Sequence, residues 1–124
     1  MINEILLYLA SLLTLVWGIA HLFPTRSVVA GFGEISTDNR RIITMEWITE
    51  GVTLIFIGIL VSVVTLIDTQ SAVSSAVYMI SALALIVLAV VSLFTGFRVK
   101  FLPFRLCPFI FGGSALLLLA GVFI

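Results

Sequence analysis

The sequence predicts an all-α integral membrane protein, a single four-helix bundle over residues 1–124, and three observations carry that expectation. Of the 124 residues, 62% are hydrophobic and only 10% charged, more apolar surface than a soluble core of this size can hide. Four apolar stretches run from Ile5 to Phe23, Ile42 to Ile67, Ala72 to Phe97 and Pro108 to Ile124. A bilayer core of about 30 Å needs roughly 20 helical residues, with about 17 as the lower limit, so each stretch can span. None alternates with period two, and a lipid-facing sheet would have to close into a barrel.

The first helix is expected at about 5–23. It follows Met-Ile-Asn-Glu, with no Lys or Arg, and its apolar run is longer than a secretory leader's, so it reads as a mature helix. The second is expected at about 39–67, because Asp38 can accept hydrogen bonds from the amides that follow it and so begin the helix outside the membrane. Between them, Pro24 to Arg41 is a polar connection in which Gly31-Phe32-Gly33 reads as a turn. It has neither the Gly-Lys-Ser/Thr nor the preceding strand of a phosphate loop. The short turn Asp68-Thr69-Gln70-Ser71 predicts that the second helix and the third, about 72–97, pack as antiparallel neighbours. Pro103 and Pro108 bracket the last connection and separate the third helix from the fourth, about 108–124. Gly112, Gly113 and Gly121, with Ala115 and Ala120, predict a close approach of that last helix to a neighbour.

Charge sets an expected orientation. The formal net charge is zero, which gives no nucleic-acid footprint and leaves the lipid bilayer as the main partner. All six basic residues fall in two loops, with Arg26, Arg40 and Arg41 in one and Arg98, Lys100 and Arg105 in the other. The positive-inside rule places both loops in the cytoplasm and both termini outside. Trp47, Phe97, Phe101, Phe104 and Phe109 gather near that boundary as an aromatic belt. Leu22-Phe23-Pro24-Thr25-Arg26 and Leu102-Pro103-Phe104-Arg105 share a faint likeness, each following a helix at its expected cytoplasmic end.

One polar constellation stands out. In the second helix Glu46, Thr49, Glu50 and Thr53 fall at i, i+3, i+4 and i+7, a stripe covering about 10 Å of one face. The first helix offers Ser11, Thr14, Gly18 and His21 at similar spacing, with Trp17 beside them. Ionisable groups facing lipid cost several kcal/mol, so the two stripes are expected to face each other and gather His21, Glu46 and Glu50, with Arg26, Arg40, Arg41 or Asp38 reaching in from the loop. Glu46 is close enough to the helix end to be solvated instead, and His21 alone could be a satisfied interhelical partner. A His with two Glu lacks the second His, or the Glu-x-x-His pair, of a metal centre, so neither metal nor cofactor is implied. The lone Cys107 allows neither an internal disulfide nor a thiolate metal site.

Two functions follow as expectations. The first is a binding or accessory protein whose cytoplasm-facing pocket holds an amphiphile, a quinone or a lipid, or a partner subunit. The second is an oligomeric proton- or ion-coupled transporter using Glu46 and Glu50, with Ser74, Tyr78 and Ser81 completing an outer half in which Ile57 to Ile67 offers only Ser62 and Thr65. Enzyme status stays open, since no nucleophile with a base is visible.

Gly18 and His21 closing the first helix, the long polar loop, and Glu50-Gly51 leading into Leu54-Ile55-Phe56-Ile57-Gly58 resemble the DoxX-like group of small four-helix bacterial membrane proteins over the first half of the chain. The resemblance implies a compact bundle in a prokaryotic inner membrane. Some members are associated with thiosulfate-quinone oxidation or oxidative-stress complexes, but a lone Cys107 offers no thiol pair to which such a role attaches. Orientation is directly testable. A cysteine placed in the Asp68 to Ser71 turn is expected to react with an impermeant thiol reagent on intact cells while Cys107 stays protected, and the converse pattern inverts the topology.

Overall fold

The computed structural model describes all 124 residues, which form five helices and no strand. These are α1 (Ile2–Leu22), α2 (Thr25–Ala30), α3 (Thr37–Ile67), α4 (Ala72–Thr95) and α5 (Leu102–Phe123). All except the short α2 are long and apolar enough to cross a membrane, and they form a four-helix bundle. Both longer connections, with every cation, lie at one end, called here the basic end. The termini and the Asp68 turn lie at the other.

Local chemistry moves several helix ends. Ser36, not Asp38, caps α3, its hydroxyl accepting the Asn39 N–H at 3.1 Å. Asp38 sits inside the first turn, where its charge suits the positive end of the helix dipole. The connection after α1 holds α2 before Gly33 reverses the chain at φ 73°. The last helix starts at Leu102 rather than Pro108: Pro103 occupies its first turn, where a missing N–H costs nothing, and Pro108 lies buried inside it. Membrane helices tolerate such an interior proline because neighbouring groups compensate the lost bond.

Lipid tails are as apolar as the bundle interior, so helix association rests on close packing and on interhelical hydrogen bonds worth about 0.6 kcal/mol each on average. The tightest packing joins α1 to α3. A Cβ at Gly18 would lie 2.8 Å from the Ile55 nitrogen and 2.9 Å from the Gly51 oxygen. One at Gly58 would lie 2.9 Å from both the Leu15 nitrogen and the Ser11 oxygen. Only glycine lets the two backbones come this close. Ser11 and Ser62 hydroxyls close the same seam at 2.9 Å.

Around the bundle the order is α3, α1, α5, α4. Gly121 seats α5 on Leu7 and Asn3 of α1, whereas Gly112 and Gly113 face open space and serve no contact within the chain. The core joins Leu7, Leu54, Val61, Tyr78, Leu85 and Phe111 from all four long helices. The short turn does not make α3 and α4 close neighbours. A 3.0 Å hydrogen bond between Thr65 and Tyr78 ties them near the turn, and towards the basic end a cleft separates them.

Cys107 is only 8% exposed, so its silence towards a thiol reagent reports burial as much as sidedness, and a cysteine at exposed Lys100 is the better partner for the turn cysteine. The glycine seam generates its own test. Gly58→Ala is expected to destabilise the bundle by about 1–3 kcal/mol through overpacking, while Gly112→Ala causes no loss. Thermal unfolding of the detergent-solubilised protein compares them.

Candidate functional site

The end of α1 is the starting point. The carbonyl of His21 is among the last four of the helix and receives no backbone N–H. Trp47, one helical turn before Gly51, supplies the missing donor, its Nε1–H bonding that oxygen at 2.9 Å. The contact is reciprocal, since His21 Nε2 lies 3.1 Å from the Trp47 carbonyl oxygen. The two rings stack with centroids 3.9 Å apart and planes 17° from parallel. A carbonyl only accepts, so this network assigns the proton to Nε2. Glu50 Oε2 stands 3.5 Å from the same nitrogen, where it becomes an ion-pair partner whenever the imidazole is protonated. Beyond Trp47 the ring of Phe104 meets it edge-on at 5.5 Å.

The expected pairing of stripes holds for His21 and Glu50 and fails for the rest. Ser11, Thr14, Gly18 and His21 are buried against the bundle, but Glu46, Thr49 and Thr53 are exposed. The glycine seam is the cause. With Gly51 and Gly58 against α1, a helix of about 3.6 residues per turn carries Thr49 and Thr53 almost to its opposite side. Only Glu50, on the flank, comes round to His21, and its side chain remains 38% exposed. Glu46 does not reach the histidine. Among the arginines, Arg40 bonds only the Gly33 carbonyl, at 3.5 Å, while Arg26 and Arg41 make no ion pair. Asp38 likewise stays on the exposed loop side.

The stripe instead lines the cleft between α3 and α4. One lobe, about 540 Å³, is bounded by Glu46, Thr49, Glu50 and Thr53. The other, about 350 Å³, is bounded by His21 with Ser92 and Thr95 of α4. Glu50, Leu88 and Phe104 border both lobes, and each volume falls in the range of small-molecule sites. A smaller chamber of about 120 Å³ adjoins the stack between the end of α1 and the start of α5, walled by Trp17, His21, Trp47, Phe101, Phe104 and Cys107.

Sequence reading missed Trp47 as a partner of His21 and missed the α4 and α5 contributions. A usable signal existed for Trp47, which precedes Gly51 by one helical turn and therefore shares the glycine face. No such signal marks Leu88 or Ser92, which belong to an apolar helix brought alongside only by the fold. His21 and Glu50 offer two metal-ligating groups, fewer than the three of a catalytic zinc site.

Comparison with protein-family models, curated proteins and solved structures finds no match for this chain. The local geometry gives a direct test of the stack. Trp47→Phe keeps an aromatic ring but removes the donor to His21, and is expected to cost about 1 kcal/mol because a part-buried carbonyl loses its partner. Chemical unfolding in mixed micelles measures the loss.

Proposed function

We propose that the chain is a binding or accessory protein of a prokaryotic inner membrane, with its basic end in the cytoplasm and both termini outside, that holds an amphiphile in the α3/α4 cleft. The polar head, of a quinone or a lipid, rests on His21 and Glu50 while the tail leaves between α3 and α4 along apolar side chains such as Leu88. The observation that carries this reading is the contact of His21 with Glu50 at the cleft wall. Ionisable groups at the depth of a span are expensive unless they meet a partner, so the half-exposed Glu50 and the exposed Glu46 mark a surface suited to a polar ligand. A partner membrane subunit or second copy covering the same stripe is the variant of this reading that needs no small ligand.

The DoxX-like likeness belongs to the same proposal, because Gly18, His21 and Glu50-Gly51, which carry it, meet at the α1–α3 crossing. The transporter alternative requires a polar path through the other half. There Ser11 and Ser62, and Thr65 and Tyr78, bond to each other, whereas both lobes of the cleft lie towards the basic end. That distribution favours binding over transport.

Mass spectrometry of extracts from purified protein is expected to reveal a bound amphiphile that is lost in Glu50→Gln and in His21→Asn. Added short-chain ubiquinone or phosphatidylglycerol at about 100 times Kd is expected to stabilise the wild type by about 2.7 kcal/mol, and the variants less. Empty extracts together with unchanged melting for every added amphiphile would sink the ligand reading and leave the partner-subunit one.

A further inference from the structure

The cleft between α3 and α4 is one-sided in its hydrogen bonding. Nearly every side-chain donor that lines it is already committed within the protein. Thr53 donates to the Thr49 carbonyl at 2.8 Å, Ser92 to that of Leu88 at 2.7 Å and Thr95 to that of Val91 at 2.7 Å. His21 Nε2 and Trp47 Nε1 are spent on each other's backbone carbonyls, and the Cys107 thiol on that of Pro103. Of the hydroxyls, only that of Thr49 makes no such bond. Acceptors, by contrast, are plentiful. Glu46 and Glu50 bring two carboxylates, and Thr53, Ser92 and Thr95 keep oxygen lone pairs. No lysine or arginine borders either lobe, and neither carboxylate pairs with one elsewhere. An ionised carboxylate only accepts, so the wall presents negative charge and lone pairs with almost no donor left to give.

We infer that the head held in the cleft is a protonated amine, an alkylammonium that donates hydrogen bonds to Glu50 and its neighbours. The inference rests on the amphiphile reading and narrows it. Quinone carbonyls only accept, and here they would face a wall that also accepts. A carboxylate head would bring negative charge beside two glutamates with no lysine or arginine to offset it. An alkylammonium removes both mismatches, since it carries one positive charge and three N–H donors. Hydrogen bonds between ionised partners are also roughly twice as strong as neutral ones. Glu50 borders both lobes, so the ammonium meets its carboxylate from either, and Leu88 and Phe104, which border both as well, offer apolar surface to the chain behind the head. A free long-chain amine and the ethanolamine head of a lipid share this chemistry.

Decylamine, decyltrimethylammonium and decanoate share a chain length and differ in the head, which is respectively a cation with donors, a cation without them and an anion. Trp47 lines the larger lobe, so tryptophan fluorescence of the full chain in a neutral detergent follows binding without any variant. Wild type is expected to bind decylamine about tenfold more tightly than decyltrimethylammonium, the yield of one hydrogen bond to a charged group, and to ignore decanoate. Glu50→Gln keeps the shape of the side chain, removes its charge and should lose the preference for decylamine. Glu46→Gln, at an exposed position that folding does not depend on, should reduce it. Comparing head-group ratios between proteins cancels partition into micelles. Phosphatidylethanolamine in extracts of wild type but not of Glu50→Gln identifies a lipid as the source of the amine, and decylamine binding without it identifies a free amine. Decanoate or decylubiquinone binding as tightly as decylamine overturns the inference and leaves the amphiphile reading standing. Equal binding of decyltrimethylammonium, or a decylamine preference undiminished in both variants, overturns it too. Silence towards every head defeats the amphiphile reading and the inference together.

Discussion

Two helices can approach to backbone contact only where at least one of them presents no side chain, and here that condition is met at Gly18 and Gly58. The rest of the basic half follows from it. Once Gly51 and Gly58 are committed to α1, the rotation of α3 about its own axis is fixed, and with it the direction of every other residue on that helix. Trp47 falls over the end of α1, where an orphan carbonyl awaits a donor, and Glu50 falls on the flank within reach of His21. Glu46, Thr49 and Thr53 are turned away. In a medium where burial of apolar surface gives helices no reason to associate, this short-range packing outweighs the tendency of two polar stripes to meet.

The same commitment explains the cleft. Helices α1 and α3, and likewise α4 and α5, form close pairs around the two connections at the basic end, and α1 joins the pairs by packing on α5. The ring is thereby held on three sides. Its fourth side, between α3 and α4, is tied near the Asp68 turn by Thr65 and Tyr78 and opens away from it. A stripe of hydroxyls and carboxylates borders the opening. Thr53 satisfies itself on the Thr49 carbonyl at 2.8 Å, which lowers the cost of its position, whereas a carboxylate has no such local remedy. The glutamates are therefore the residues for which an external partner matters most.

Aromatic side chains give the basic end its second character. The stacked His21 and Trp47 are linked through Phe104 to Phe101, with centroids 5.9 Å apart in the last contact, so three helices and a connection meet in one apolar, ring-lined region. A belt of this composition is ordinary at a membrane boundary. What separates this one from a belt is the small chamber of about 120 Å³ that Trp17, Trp47, Phe101 and Phe104 help to wall.

The sequence alone determined the helical class, the four spans and the gathering of cations at one end, because length, hydropathy and charge are summed along the chain and need no knowledge of neighbours. It also marked His21 and Glu50, since ionisable groups within apolar spans are costly wherever the spans pack. Helix ends were legible only in part: Asp38 and Ser36 are both competent caps, and Pro108 suits a boundary as well as a tolerated interior position, so local chemistry left the choice open. Tertiary structure decided which face of α3 meets α1, that α3 and α4 part despite their short turn, and that Trp47 joins His21. Those outcomes depend on the fit of one surface against another, as at Gly18 and Gly58, and a periodic pattern records which residues share a face without recording which face wins the contact.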